Sequence, residues 1–468
     1  MSVLIFVSDD SAFVESIQSW GNSGLELFGV IPTRSIGTIK HEFGEYISEN
    51  TLVRDMFESK TQAREQYINS FSTEYRIFCL ALDRVSFYCS SSMFSENLFN
   101  IFVERALDFL TSNNIRKVVF GNVPHQVHTI AFQVSAQILD IDIYHRELPA
   151  IGSGAIALWF KNGNRIKSHN SVKISGFIDY ESKIQTIVKS ISKIEEGGDS
   201  KSRFDYMIEQ SKSRKLTKLK YIFYSLKFLS FVPWIILLIR NKEGFLNTPH
   251  ISQFGLFKPY PSVLTIRKIF LQKKKVINSF LREYKDTSSA IPKELQYFYL
   301  PLHYQPEAST VPLGWPFHDQ IFVAHKIADN LPDGVKLVVK EHPTQFHLNY
   351  RGDRGRWLGY YELMSSHKNI LLAPIDSDSD VIIKKSQGVI SVNGSTVLES
   401  GVKFKKASVV LANDMYHGLS KIRCEGSIDR VVDLLLDINR DCPDLDIDKF
   451  SRDRASDFFV NEIPSVNE

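Results

Sequence analysis

Short apolar runs alternate with stretches in which apolar residues recur every three or four positions, and this pattern occupies both ends of the chain. Residues 3–7 read as a strand that ends in Ser8-Asp9-Asp10, whose polar side chains suit a helix N-cap. Residues 76–81 (RIFCLA), 117–120 (KVVF) and 141–144 read as three more strands. Between them, Leu98, Ile101, Phe102, Ala106, Leu107 and Leu110 fall at helical spacing, and residues 128–139 form a second amphipathic helix. Short strands separated by helices of this length imply a parallel sheet with right-handed crossovers.

After about residue 164 the pattern weakens, and Gly197-Gly198-Asp199-Ser200 reads as a joint. Beyond residue 295 regularity returns. Strands are predicted at 297–300, 336–340, 369–372, 388–392 and 408–411, with helices at 319–331, 360–366, 379–385, 395–402 and 426–438. The expected fold class is α/β, with two Rossmann-like domains facing across a cleft and a basic helical insertion between them. The expected boundaries are 1–188 for the N-terminal domain, 189–290 for the linker, 291–440 for the C-terminal domain and 441–468 for a tail.

Composition agrees with a large globular chain: 468 residues, 43% hydrophobic and 23% charged, are enough for two cores. The net charge of +3 hides an asymmetry, because residues 201–275 carry 16 Lys/Arg against 3 Asp/Glu. A field that lopsided points to an anionic partner, unless it is simply a solvated basic face. Within it, residues 221–239 (YIFYSLKFLSFVPWIILLI) are mostly apolar, with Lys227 the one charge, and contain Pro233. The longest uncharged run there, 228–239, is 12 residues, short of the roughly 18 needed to span a bilayer. Basic flanks around a short aromatic core suit a helix lying on an anionic membrane surface through residues 212–242, with a buried helical hairpin as the alternative. Basic residues interleaved with a long apolar run do not make a nucleic-acid groove. The four cysteines (Cys79, Cys89, Cys424, Cys442) form no CxxC or zinc pattern, and no secretory signal opens the chain, so a cytoplasmic protein with reduced thiols is expected, peripheral on the inner face of the cytoplasmic membrane where the basic segment binds it.

Ligands of open parallel sheets bind at the carboxyl ends of strands. Three loops of the C-terminal half lie at such ends. In the first, residues 301–310 (PLHYQPEAST), Gln305 and Glu307 can bond sugar hydroxyls while Ser309 and Thr310 can donate to phosphate. The second, Lys340-Glu341-His342-Pro343, sets a histidine against a proline, well placed to meet a leaving phosphate, with Lys340 as a fixed charge or a solvent-facing residue. The third, residues 392–400 (VNGSTVLES), runs from a strand through Asn393 and Gly394 to Ser395 and Thr396 at a helix start, an anion site by its free N–H groups and hydroxyls. Glu399 could accept from ribose hydroxyls, or could serve as the capping partner of Ser395.

Together, residues 301–310, 340–343 (KEHP) and 393–401 (NGSTVLESG) resemble the bacterial capsule and surface polysaccharide glycosyltransferases of GT-B fold, related to the capsular Kdo transferases. Residues 123–141 are similar to a helix that these proteins carry in their acceptor-side domain. The His-Pro pair and the Ser/Thr pair also resemble the phosphate-binding motifs of bacterial sialyltransferases. The resemblance implies that His342, Ser395 and Thr396 hold the donor phosphate, with a CMP-sugar such as CMP-Kdo ahead of a UDP-sugar. It implies a glycan or glycolipid acceptor, a bacterial surface polysaccharide or its lipid-linked precursor. It implies no cofactor beyond the nucleotide-sugar substrate, and no strict need for a metal. Asp376-Ser377-Asp378-Ser379-Asp380 lacks the glycine and terminal glutamate of a calcium loop and reads as an acidic helix cap. A general base is expected from the first domain, where Asp9, Asp10, His125 and Glu147 stand near strand ends, with Glu147 and His125 preferred. The competing readings are a non-hydrolysing nucleotide-sugar epimerase and a non-catalytic glycan-assembly protein.

Overall fold

The computed structural model describes residues 2–8, 92–148, 156–167, 171–173, 180–195, 263–441 and 447–464, with most of 13–58 and 63–85, a few single positions excepted. Asp9, Asp10, the 197–200 joint and the whole basic apolar stretch 212–242 lie outside the described residues. Among those described, no helix is long and apolar enough to cross a membrane.

The chain divides into two compact units. The first runs to Lys183 and is rejoined by the chain from Ala455, while the second takes the end of one helix from Ile184 and runs from Arg267 to Arg454. Strands of the first unit are β1 (Ser2–Phe6), β2 (Glu26–Ile31), β3 (Glu45–Ser48), β4 (Ile115–Phe120), β5 (Asp142–Glu147), β6 (Ile156–Lys161), β7 (Asn164–Arg165) and β8 (Ser171–Lys173). Its helices are α1 (Glu49–Glu58), α2 (Ser72–Val85), α3 (Ser92–Ser112) and α4 (Val127–Ile138), and α5 (Tyr180–Glu195) straddles the boundary. Strands pair in the order β3-β2-β1-β4-β5-β6, parallel through β5 and antiparallel at β6. β1 is covered on both faces, which is why its sequence is an unbroken apolar run rather than an alternating one.

The strand expected at 76–81 is a correction: these residues lie inside α2. Phe78, Ala81 and Leu82 are buried while Arg76 is not, the three-to-four spacing of a helix face. β2 and β3 carry the sheet outward on that side instead.

The second unit opens with α6 (Val263–Thr287) and holds β9 (Gln296–Pro301), α7 (Gln320–Asp329), β10 (Val335–Lys340), α8 (Tyr360–Ser365), β11 (Ile370–Leu372), α9 (Ser379–Lys385) and β12 (Gly388–Ser391). There follow α10 (Thr396–Leu398), which continues as a π-turn over Glu399–Lys403, then β13 (Ala407–Val410), β14 (Ile422–Cys424), α11 (Val431–Asp441) and α12 (Ile447–Arg454). All six strands are parallel, in the order β11-β10-β9-β12-β13-β14. The chain walks outward from β9 to β11, then crosses back and walks the other way from β12. That is the Rossmann strand order, with its switch point between β9 and β12. Phe298, Leu337, Ile390 and Val409 pack one face of the sheet against α7 and α11 in a single buried cluster.

The last described residues form β15 (Phe459–Val460), antiparallel to β6, and β16 (Glu462–Pro464), antiparallel to β8. Each unit is thus a Rossmann-like α/β sheet, the element of which the GT-B fold is built.

Candidate functional site

Parallel pairing aligns the carboxyl ends of β10, β9 and β12 side by side, so the three loops singled out in the sequence leave one edge of the second sheet. The floor beneath them is a buried polar network. Glu341, at the end of β10, is closed off from solvent together with Arg356. The Glu341 carboxylate accepts from Arg356 Nε at 2.7 Å and Nη2 at 3.1 Å, from the Tyr361 hydroxyl at 2.8 Å and from the His342 backbone N–H at 2.7 Å. Arg356 also donates to Gln305 Oε1 (2.7 Å) and to the His303 carbonyl (3.1 Å), and lies over the Tyr360 ring at 4.5 Å. A buried charge pair with this many hydrogen bonds fixes the loop after β9 to the loop after β10.

Gln305 belongs to that framework. Its Oε1 accepts from Arg356 and from Gln320 Nε2 (2.8 Å), while its Nε2 donates to the His318 carbonyl (2.8 Å). Its backbone pairs with Gln345 both ways, at 2.9 Å each. Glu307 is exposed, with its carboxylate accepting the Ser309 hydroxyl at 2.9 Å. Thr310 is buried, and its hydroxyl closes a turn on the Glu307 carbonyl. Lys340 is buried too, donating to Ser379 Oγ at 3.0 Å, so of its two expected settings the solvent-facing one is not adopted. Burial pushes the neighbouring Tyr299 phenol up, and Glu399 adds to the rise.

His342 heads a short 3-10 turn in which its Nδ1 accepts the Thr344 N–H at 3.2 Å. A neutral imidazole accepting at Nδ1 carries its proton on Nε2, which makes Nε2–H a donor.

At the end of β12, Asn393 gives its N–H to His303 Nε2 (3.2 Å) and its side chain approaches the Ser309 carbonyl at 3.5 Å. Gly394 gives its N–H to Ser391 Oγ (2.9 Å), and a Cβ there would sit 2.6 Å from that oxygen, so a larger residue displaces the Ser391 side chain. The next two residues differ from everything around them. Ser395 has helical backbone angles and its side chain caps nothing, so the Ser395–Glu399 capping pair does not form. Among the described hydrogen bonds none uses the backbone N–H or the hydroxyl of Ser395 or Thr396, both half-buried. Four donors at the switch point of a parallel sheet thus have no acceptor among the described residues, the arrangement an anionic ligand completes.

In the first unit, His125 donates from Nδ1 to the Val123 carbonyl (2.7 Å). Glu147 ends β5, 3.6 Å from His145 Nε2, while the His145 ring stacks on Phe160. Asp378 caps α9 by accepting the Asp380 N–H, as the acidic-cap reading expects. Among the described residues no group of three or more His, Cys, Asp or Glu is placed to hold a metal.

Sequence reasoning passed over His303, Gln320, Gln345 and Arg356. His303 stood in a loop already singled out, but its partners lie 88 and 90 residues away and only the fold brings them together.

No protein-family model and no curated protein matches the sequence. Among solved structures, the UDP-GlcNAc 2-epimerase of Methanocaldococcus jannaschii is similar at 10% identity, covering 96% of this chain and 94% of its own, with a TM-score of 0.26. The Neisseria meningitidis UDP-GlcNAc 2-epimerase bound to UDP-GlcNAc is similar at 11% identity over 98% and 95% of the two chains, TM-score 0.22. KpsC of Thermosulfurimonas dismutans, a beta Kdo 2,7 transferase, is similar at 10% identity over 82% and 86%, TM-score 0.27. The fold rests on the strand order itself rather than on these scores.

Proposed function

We propose that this chain is an enzyme acting on a nucleotide-activated sugar, and that its second unit holds the nucleotide phosphate at the carboxyl edge of the sheet. The observation that carries the reading is the turn at Ser395 and Thr396, whose donors lack acceptors where the strand order reverses. His342 heads the turn that follows β10 at the same edge, and with Nδ1 accepting the Thr344 N–H its Nε2–H is the donor we assign to the charge that develops on a departing phosphate. Gln305, Glu341 and Arg356 keep the two loops in place.

The reaction we favour is glycosyl transfer onto a bacterial surface polysaccharide or its lipid-linked precursor, with CMP-Kdo as the type of donor, because three loops at this edge resemble motifs of the capsule transferases. The second reading is epimerisation of the same bound nucleotide sugar, the activity named for the two epimerases above. A phosphate-binding edge serves either reaction.

Calorimetry with CMP, UDP and their sugars identifies the nucleotide. Incubation with donor alone then separates the reactions, since epimerisation needs no acceptor. His342→Ala should abolish donor turnover with the melting temperature retained, and full activity in that variant refutes the assignment. If neither nucleotide nor nucleotide sugar binds the wild-type protein, the whole reading falls.

A further inference from the structure

His303 bridges the switch point. Its backbone is clamped from one side, the N–H by Gln320 Oε1 (2.6 Å) and the carbonyl by Gln320 Nε2 and Arg356 Nη2 (3.1 Å each). Its ring reaches across to the loop after β12, where Nε2 lies 3.1 Å from Ser391 Oγ and 3.2 Å from the Asn393 N. The donor count fixes the tautomer. The Asn393 N–H can only donate, so Nε2 is unprotonated. Ser391 Oγ already accepts the Gly394 N–H, which leaves its own hydrogen for Nε2. The ring's one proton therefore sits on Nδ1. Burial, then the charge of Arg356, hold the imidazole down at about 4, so it stays neutral near pH 7.

The next links lead to the ligand. Ser391 Oγ and His303 Nε2 take the N–H groups of Gly394 and Asn393, the two residues directly before the unpartnered donors of Ser395 and Thr396. With those two amides tied inward, the turn has one orientation. Gly394 seals it, since a Cβ there would meet Ser391 Oγ at 2.6 Å and His303 Cε1 at 3.1 Å.

We propose that His303 is the positioning residue of the phosphate-binding turn: as a neutral acceptor whose Nε2 lone pair is shared by two donors, it aims the donors of Ser395 and Thr396 at the nucleotide phosphate. The inference rests on the nucleotide-sugar reading of the same edge. It assigns to a side chain on the β9 side of the sheet the pre-organisation of a site made by the β12 side.

The test compares three variants by calorimetry against whichever of CMP, UDP or their sugars the wild-type protein binds. His303→Gln puts an amide oxygen where Nε2 stands and should keep affinity within about threefold of wild type. His303→Leu fills the volume without an acceptor, and His303→Ala removes both. Each loses two hydrogen bonds, and should weaken nucleotide binding by about tenfold or more. Rescue by glutamine but not by leucine, with all three melting temperatures alike, is the signature of positioning. Equal binding by all three variants overturns the proposal while leaving the nucleotide-sugar reading intact. A check that needs no ligand is the imidazole nitrogen-15 spectrum of the wild-type protein. It should show His303 with its proton on Nδ1 at pH 7, and a proton on Nε2 overturns the proposal by itself.

Discussion

Arg356→Met tests whether the charge pair under the site is what the geometry says it is. In the wild-type protein both side chains are fully screened from solvent, and Glu341 has four donors around its carboxylate. The substitution removes the guanidinium and both of its bonds, leaving a buried anion held by the Tyr361 hydroxyl and the His342 N–H alone. Stranding one partner of a buried pair costs about 3–5 kcal/mol. Gln305 Oε1 and the His303 carbonyl each keep a donor from Gln320, so their loss adds little. For a unit of this size 1 kcal/mol corresponds to about 2–4 °C, so the transition of the second unit should drop by about 6–20 °C in differential scanning calorimetry. The double variant Glu341→Gln/Arg356→Met removes the stranded charge as well, and should recover a large part of the loss. The reasoning is refuted if Arg356→Met melts within about 2 °C of wild type, or if the double variant is no better than the single one.

Other outcomes follow from the same physical terms. His128 in the first unit is fully buried and held down at about 3, chiefly by burial, so the unfolded chain takes up its proton near 6.5 and the folded one does not. Stability should therefore fall as pH drops from 6.5 towards 3 and be unaffected by this group above 6.5, and His128→Leu should flatten that slope in urea melts; an unchanged slope contradicts the assignment. Gly355→Ala would place a Cβ 2.1 Å from the Gln305 carbonyl oxygen, and should cost at least about 1–3 kcal/mol in the same melts. Gly394→Ala should instead weaken nucleotide binding about tenfold with little change in melting temperature, because it displaces only the local Ser391 and His303 contacts. If Gly394→Ala binds like wild type, the turn is not the phosphate site.

The second sheet was legible in the sequence because its strands are short, apolar and separated by polar turns. β9, β10, β12 and β13 fall within a residue or two of their expected places. β14, three residues at the sheet edge, carries too little apolar sequence to announce itself. In the first unit, residues 76–81 show why a short, mostly apolar run is ambiguous: only the flanking Tyr75 and Leu82 reveal the helical period of α2. β2 escaped notice because Gly29 interrupts its apolar run, and the fold fills that gap with the Phe43 ring. The candidate site divides in the same way. His342, Ser395 and Thr396 were readable from strand-end position, which depends on local order along the chain. Gln305 was readable as unusual but not as framework, since its partners Gln320, Gln345 and Arg356 are 15 to 51 residues distant. Lys340 ends a strand and gives its ammonium to Ser379 at the start of α9, a contact 39 residues away that periodicity does not reveal.

The return of the chain to its first unit has a consequence for biosynthesis. β15 pairs with Ile156 and Ala157 at the start of β6, on the edge whose far end β7 already covers, with Phe459 buried and Asp457 paired to Arg165 and Lys167. A ribosome reaches β15 only after every strand of the second sheet has been made. The first sheet, begun earliest, is finished last, and the start of the β6 edge stays open to pairing with other nascent chains for most of translation. Stop codons or fusions near the carboxyl end should accordingly harm the yield of folded protein through the amino-terminal unit, far from where the lesion lies in the gene.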